Sequence, residues 1–237
     1  MVVLTIILYV YSLNSVDNPD AFEITDILYA FGALVCGIYS IIVSLKYRGS
    51  EILGKTYFAL GLGFLMLFVG DLTLNYYEIV LEIDPYPSLA DVFYLAYMPL
   101  AIFYLVVNIR HFKKKIDNVT ILGLSVLSVS IILLYSALSF EEMDEFNFDF
   151  YFGLLYVIPS SVMLSLSILG ALVFRSSILG IPWLLIATGI TIFTIADVWY
   201  YYLELFEIYD GTHPVNSLWT FAFMVIVYAL YKHKKIL

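Results

Sequence analysis

The residues in this sequence whose type and spacing could do chemistry are carboxylates inside long apolar runs. Asp71 interrupts one such run, and Glu78 follows it seven residues later. On an α-helix a step of seven residues turns through about 700°, so both carboxylates would lie on nearly the same face. An ionisable group at membrane depth usually faces a bundle interior or a wet cavity, which makes it a functional candidate by default.

The same pair of acids recurs in the second half of the chain. A shift of 126 positions places Asp71 on Asp197 and Glu78 on Glu204, and residues 50–84 then match their shifted copies at 9 of 35 positions. This self-similarity indicates an internal duplication. If the two helices faced each other, the four carboxylates would line a vestibule.

The duplication predicts one integral membrane domain, residues 1–237, with repeats 1–115 and 116–237. Asp91, in the turn that follows the first acid pair, is a further candidate for the same vestibule. The acids would bind a ligand or an ion there.

The composition places these acids in a membrane. Hydrophobic residues make up 62% of the chain and charged residues 13%, whereas soluble domains are about half apolar and about a quarter charged. The fold predicted is therefore all-α, a polytopic bundle of eight transmembrane helices. Its apolar segments have roughly the length that a bilayer core of about 30 Å requires, and they cover residues 1–16, 24–46, 55–79, 88–109, 119–138, 148–174, 178–206 and 214–231.

The basic residues predict the orientation of these segments. All 11 Lys and Arg residues fall on one side of the predicted spans, and of the 20 acids only Glu51 and Asp117 share that side. Because cytoplasmic loops carry the excess of Lys and Arg, both termini should be cytoplasmic in the plasma membrane. Four helices per unit would insert both repeats in the same orientation, as a parallel repeat.

The chemistry of the acids has three interpretations. Asp71 and Asp197 could accept hydrogen bonds that fix helix packing, form a site that responds to a proton or cation, or contribute to an oxygen-rich site for a divalent ion. No Lys or Arg lies on their side to pair with them. Glu78 and Glu204 could equally be solvated residues at the membrane interface.

The motifs of common enzyme classes are absent from the sequence. It contains no HExxH, nucleophile elbow or P-loop, and no lysine lies inside a predicted span, since Lys46 and Lys55 stand at span ends. We therefore expect no enzyme and no nucleic-acid partner, and the sequence identifies no cofactor. The bilayer is the expected partner, and a basic run could bind anionic lipid headgroups or only set the topology; it consists of Arg110, Lys113, Lys114 and Lys115.

The turn after the first acid pair has a recognisable motif. Its sequence, DPYPSLADVFYLAYMPL at residues 84–100, resembles a family of membrane-embedded sensory regions found N-terminal to diguanylate cyclase, PAS or histidine-kinase modules in bacteria and archaea. The resemblance implies a sensory or ligand-binding role. This chain contains no such output module, so we expect a signal to pass to a separate partner.

Three functions remain open at this point. The first is a sensory or ligand-binding module with an outward acidic vestibule. The second is a small cation or proton transporter that uses the paired carboxylates as carriers, and the third is a structural subunit of a membrane complex. Self-association into a homo-oligomer is compatible with all three.

Overall fold

A computed structural model describes residues 19–83, 86–112, 116–140, 147–209 and 213–236, with side chains from residue 30 onward. This part of the chain is entirely helical. Its seven helices are α1 (Pro19–Lys46), α2 (Leu53–Asn75), α3 (Leu89–Phe112), α4 (Asn118–Phe140), α5 (Phe148–Phe174), α6 (Gly180–Leu205) and α7 (Val215–Ile236). A single π-helical turn, Tyr76–Val80, extends α2.

Six of these helices, α2 to α7, are long and apolar enough to cross a membrane. The apolar part of α1 whose side chains are described, Ala30–Lys46, is shorter. The prediction of a helical, multi-pass membrane protein is therefore confirmed. Seven of the eight predicted segments correspond to these helices, and the first predicted segment, residues 1–16, lies outside the described residues.

Six helices pack side by side into a closed ring, in the order α1, α2, α3, α5, α6, α7 and back to α1. Their aromatic and aliphatic side chains fill its centre. Helix α4 lies outside the ring against α5, where the Ser128 and Ser165 hydroxyls are 2.7 Å apart. The rest of α4 is largely exposed, as expected for a helix that faces lipid, and Val119 is 75% exposed.

The order of neighbours in the ring is the same for the two halves of the chain, with α5, α6 and α7 in the second half corresponding to α1, α2 and α3 in the first. Helices α1, α2 and α3 begin 126 to 129 residues before α5, α6 and α7 respectively. The contacts α1–α2 and α2–α3 correspond to α5–α6 and α6–α7, and the contact α3–α5 corresponds to α7–α1.

Two glycines allow α7 to approach its neighbours closely. A methyl group added at Gly32 of α1 would lie 2.7 Å from the ring of Phe223, and one at Gly189 of α6 would lie 3.2 Å from the backbone oxygen of Ala222. Helix α7 is thus held between α1 and α6 near its midpoint.

The two ends of the bundle differ in charge. Every Lys and Arg among the described residues lies at one end, where α1 ends and α2 begins, which we call the basic end; these residues are Lys46, Arg48, Lys55, Arg110, Arg175, Lys232, Lys234 and Lys235. The opposite end, which we call the acidic end, carries the five predicted site acids.

An apolar layer separates the two ends. It contains a cavity of about 10 Å³ between α2, α3, α6 and α7, lined by aliphatic and aromatic residues that include Phe64, Tyr97 and Ile190. A water molecule needs at least about 10–15 Å³ and two or more polar partners. This cavity is therefore at the lower limit of size for one water molecule, and its apolar walls offer that water no hydrogen-bond partner.

Candidate functional site

Asp197 is the most deeply buried of the five predicted acids. It lies in α6, is 4% exposed, and accepts a hydrogen bond from the Ser160 hydroxyl of α5. Its other carboxylate oxygen accepts from the indole Nε1 of Trp219 in α7, at 3.0 Å. Because a buried carboxylate is costly unless its oxygens are hydrogen-bonded, these bonds join three helices around one side chain.

Asp71 forms the corresponding link between α2 and α3. It is half-buried, and the Tyr94 hydroxyl donates to its Oδ1 at 3.0 Å. The preceding residue, Gly70, makes room for the tyrosine, because a methyl group there would lie 2.5 Å from a ring carbon. The aromatic ring therefore passes directly over the backbone of α2 to reach the carboxylate.

Asp91 begins α3 and also links it to α5. The Ser88 hydroxyl accepts from the Ala90 backbone N–H at 3.1 Å, and Asp91 Oδ2 accepts from the Ser88 backbone N–H at 2.7 Å. These two bonds are a variant of the capping box, in which aspartate stands in place of glutamate and the Ser88 hydroxyl accepts from the second helical residue rather than the third. The second oxygen, Oδ1, accepts from the Tyr156 hydroxyl of α5 at 2.6 Å.

Helices α3 and α5 connect these three aspartates into one network. Asp91 and Tyr94 are three residues apart on α3, and Tyr156 and Ser160 are four apart on α5, so each pair shares a helix face. We call the set the acidic-end network; its members are Asp71, Asp91, Tyr94, Tyr156, Ser160, Asp197 and Trp219.

The two helices that carry the duplicated acids, α2 and α6, lie opposite each other in the six-helix ring, with two helices between them on either side. The hydrogen bonds to these two carboxylates come from neighbouring helices, from α3 to Asp71 and from α5 and α7 to Asp197. Glu78 lies in the π-helical turn, where the backbone N–H of Leu81 bonds to the oxygen of Tyr76. The regular α-helical spacing assumed for Asp71 and Glu78 therefore ends before Glu78, which is exposed.

The remaining predicted site residues lie at the two ends of the bundle. Glu204 is half-buried in the last turn of α6. Arg110 is exposed in the last turn of α3, at the basic end, while Lys113, Lys114 and Lys115 lie outside the described residues. Within the described part of the chain, no three His, Cys, Asp or Glu side chains are grouped to hold a metal ion.

A second network lies at the basic end, around His233 of α7, which is fully buried. The Tyr104 hydroxyl of α3 donates to the Tyr57 hydroxyl of α2 at 3.0 Å. Tyr57 lies 2.9 Å from Nδ1 of the imidazole, and Tyr47, just after α1, lies 2.7 Å from Nε2. We call these four residues the basic-end network.

The donors of the basic-end network can be assigned in one consistent direction. If Tyr57, having accepted from Tyr104, donates to Nδ1, a neutral imidazole carries its proton on Nε2 and donates to Tyr47. Burial raises the pKa of Tyr47, so this phenol stays neutral and can accept. Every ring nitrogen of His233 then has a partner.

Aromatic stacking supports the basic-end network from the side. The ring of Trp183 stacks on Tyr104 with centroids 5.4 Å apart and on Phe174 with centroids 4.5 Å apart. Tyr57 also packs edge-on against Tyr104 and His233, at 5.0 and 4.8 Å. These packed rings fix the orientation of the hydroxyl groups.

Some of these residues were recognisable in the sequence. Ser88 and Asp91 have the spacing of a capping box before an apolar run. His233 continues a stripe of buried residues on α7, after Ile226 and Leu230, which is the spacing of a core face. No local sequence pattern predicts which side chains on other helices these residues bond to.

Comparison with known proteins gives no relative for this chain. No protein-family description matches it, and no curated protein or solved structure is similar to it.

Proposed function

We propose that this protein is a membrane-embedded sensory or ligand-binding module whose acidic end faces outward. In this proposal eight transmembrane helices form two parallel four-helix repeats in the plasma membrane, with both termini cytoplasmic. The charge difference between the two ends supports the orientation, and the helix spacing and ring order support the repeats. The motif at residues 84–100 supports the sensory role and a separate signalling partner.

The observation that carries the proposal is the way α7 is bound at its two ends. At the acidic end Trp219 bonds to Asp197 of α6, and at the basic end His233 bonds to Tyr57 of α2 and to Tyr47. The two attachments are 14 residues apart, or about 21 Å along a helix. Helix α7 is therefore bonded to the second half of the chain at its acidic end and to the first half at its basic end.

A signal at Asp197 would reach the basic end through this helix. An ionised carboxylate accepts stronger hydrogen bonds than a neutral one, so a proton or a cation at Asp197 would weaken its bond to Trp219. Released at that end, α7 would shift about its close contacts with α1 and α6. This shift would weaken the hydrogen bonds of His233 at the other end of the helix. The last turn of α7 would then move between two packing states, and a cytoplasmic partner would bind one of them.

The apolar layer favours a sensor over a cation or proton transporter. A carrier needs a continuous path, whereas the layer between the two networks offers a cavity of only about 10 Å³ with apolar walls. In a structural subunit, neither network would need to change its hydrogen bonds when a proton, a cation or a ligand is added. Both alternatives therefore differ from the sensor in a measurable way.

Trp219 provides a reporter for the decisive experiment. The purified protein, reconstituted in liposomes that contain a pH-sensitive dye, would be titrated with acid and with monovalent cations while tryptophan emission and ion flux are recorded together. Trp219→Phe identifies the contribution of this residue among the 3 tryptophans. Asp197→Asn, paired with Asp71→Asn in a double variant, removes the charges that respond.

If the protein is a sensor, Trp219 emission should change during the titration of the wild type but not of Asp197→Asn. No ion flux should be detected in either protein. Flux that disappears in the double variant would replace the sensor with the transporter. An emission that no titration alters, in a protein that copurifies with one stoichiometric partner, would instead support the structural subunit.

A further inference from the structure

Two buried phenol groups at the acidic end have no hydrogen-bond partner among the residues that the structure describes. The hydroxyl oxygens of Tyr86 and Tyr135 are both buried and unpaired, and Tyr135 is 0% exposed. Buried polar atoms in proteins are nearly always paired, so each exception calls for a water, an ion or a ligand. Neither residue belongs to the acidic-end network.

The two phenols approach the same turn of α5. The ring of Tyr86 packs edge-on against Phe152 with centroids 5.5 Å apart. The Tyr135 hydroxyl, coming from α4, lies directly over Gly153, in the space that a side chain would occupy there. Phe152 and Gly153 are consecutive on α5, and Asp149 and Tyr135 both lie near enough to Tyr86 to act on it electrostatically.

This place is negatively charged. Asp149 lies three and four residues before Phe152 and Gly153 on α5, and therefore on the same helix face. Burial, and after it the charges of Asp149, Glu204 and Asp91, raise the pKa of Tyr86. No Lys or Arg of the described residues lies at this end, so the missing partner should carry positive charge and hydrogen-bond donors.

Aromatic rings surround the same place. Phe148 stacks on Phe152 with centroids 5.5 Å apart, and Tyr135 stacks on Phe150 with centroids 5.9 Å apart. Aromatic faces attract weakly hydrated cations such as organic ammonium groups. The described residues hold no cluster of three metal-ligating side chains, so an organic cation fits better than a metal ion.

We propose that Tyr86, Tyr135 and Asp149 form a binding site for a primary ammonium group. The phenol oxygens accept two of its N–H bonds, and the carboxylate of Asp149 neutralises its charge. The group can belong to a soluble amine or to the ethanolamine headgroup of a lipid. This site depends on the proposed function in one respect: the ammonium group would be the ligand that the proposed sensor detects.

The test uses the full chain in phosphatidylcholine nanodiscs, where both ends are open to solvent. Thermal unfolding is followed with ethylammonium, and with tetramethylammonium and sodium at matched ionic strength. Ethylammonium should raise the unfolding midpoint with concentration, because a ligand that binds only the folded state stabilises it. Tetramethylammonium, which has no N–H donor, and sodium should raise it less.

The variants identify the residues that bind. Tyr135→Phe and Tyr86→Phe keep the ring packing, and each should weaken ethylammonium binding about 10-fold or more, the usual effect of losing one hydrogen bond to a charged group. Asp149→Asn should weaken it at least as much. Tyr76→Phe, at a 54% exposed tyrosine of the same end, is the matched control and should leave binding unchanged.

The two sources of the ammonium group are separated by the lipid. If the ligand is a headgroup, nanodiscs that contain phosphatidylethanolamine should stabilise the protein and reduce the effect of added ethylammonium, and both changes should be lost in Tyr135→Phe. If it is a soluble amine, the lipid should make no difference while ethylammonium still stabilises.

The proposal is overturned if neither ethylammonium nor phosphatidylethanolamine stabilises the wild type, or if the phenylalanine variants respond as the wild type does. In those cases the hydroxyl groups are satisfied by water alone. Amine binding without a change in Trp219 emission would support this site and refute the proposed sensor function. A Trp219 response to pH without amine binding would do the reverse.

Discussion

Replacing Tyr57 with phenylalanine is the sharpest test of the basic-end network. Tyr57 accepts from Tyr104 at 3.0 Å and reaches Nδ1 of His233 at 2.9 Å, so the variant loses two interhelical hydrogen bonds while the ring remains. Tyr57 is also fully buried, so no water can replace the lost hydroxyl without repacking. The Tyr104 hydroxyl and Nδ1 of His233 would both be left unpaired.

The expected cost follows from these two bonds. Interhelical hydrogen bonds in a membrane protein average about 0.6 kcal/mol and reach about 1.7 kcal/mol, so two of them predict a loss of about 1–3 kcal/mol in unfolding free energy. Tyr104→Phe removes only the first bond and should cost roughly half as much. Tyr228→Phe, at a tyrosine of α7 that is 48% exposed, should cost close to nothing.

The assay is equilibrium unfolding in mixed detergent micelles, with the helical signal of each variant compared with that of wild type. The predicted order of destabilisation is Tyr57→Phe, then Tyr104→Phe, then Tyr228→Phe. The reasoning is refuted if Tyr57→Phe is no less stable than Tyr228→Phe. It is also refuted if Tyr104→Phe costs more than Tyr57→Phe, since Tyr104 reaches the imidazole through Tyr57.

Three further predictions concern the ends of the helices. Ser88→Ala removes the cap of α3 and should cost about 0.5–2 kcal/mol, seen as faster hydrogen exchange in its first turn, with unchanged exchange counting against the cap. Gly153→Ala should destabilise by about 1–3 kcal/mol through overpacking, and Tyr135→Phe in the same chain should restore part of the loss in a double-mutant cycle; strict additivity would contradict the contact. Hydrogen bonds from Thr120 lower the pKa of Asp117, so the stability that this exposed cap contributes is present above the unfolded pKa of about 3.9 and is lost as the pH falls through the folded value. The protection of the first turn of α4 against exchange, relative to the intrinsic rate at each pH, should therefore fall below about pH 4 in wild type, and an equal fall in Asp117→Asn would refute that assignment.

The helices could be predicted from the sequence because the bilayer dictates them. An apolar run of about 20 residues must satisfy its own backbone groups, and a helix is the way to do so. The charge pattern also predicted which ends share a side, since Lys and Arg concentrate in the same connections. The capping residues of α3, Ser88 and Asp91, have a recognisable spacing in the sequence.

The partners of the acids could not be predicted in the same way. The regular helix assumed between Asp71 and Glu78 gives way to a π-helical turn, and no local pattern announced it. Which helices lie next to each other decides that Tyr156 donates to Asp91 and that Ser160 donates to Asp197. That choice depends on packing across the whole ring. His233 lies next to a basic terminus in the sequence, and its partners Tyr57 and Tyr47 follow only from the packing of α7 against the first half of the chain.

The coupling of the two ends through α7 is tested most directly by hydrogen exchange in nanodiscs. Trp219→Phe breaks the bond to Asp197 and leaves His233 untouched, so any change at residues 231–236 must travel along the helix. The control is Trp199→Phe, at the same end and 40% exposed. The proposed mechanism predicts faster exchange at residues 231–236 in Trp219→Phe and not in the control. Faster exchange confined to the first turns of α7, with residues 231–236 unchanged, would contradict it.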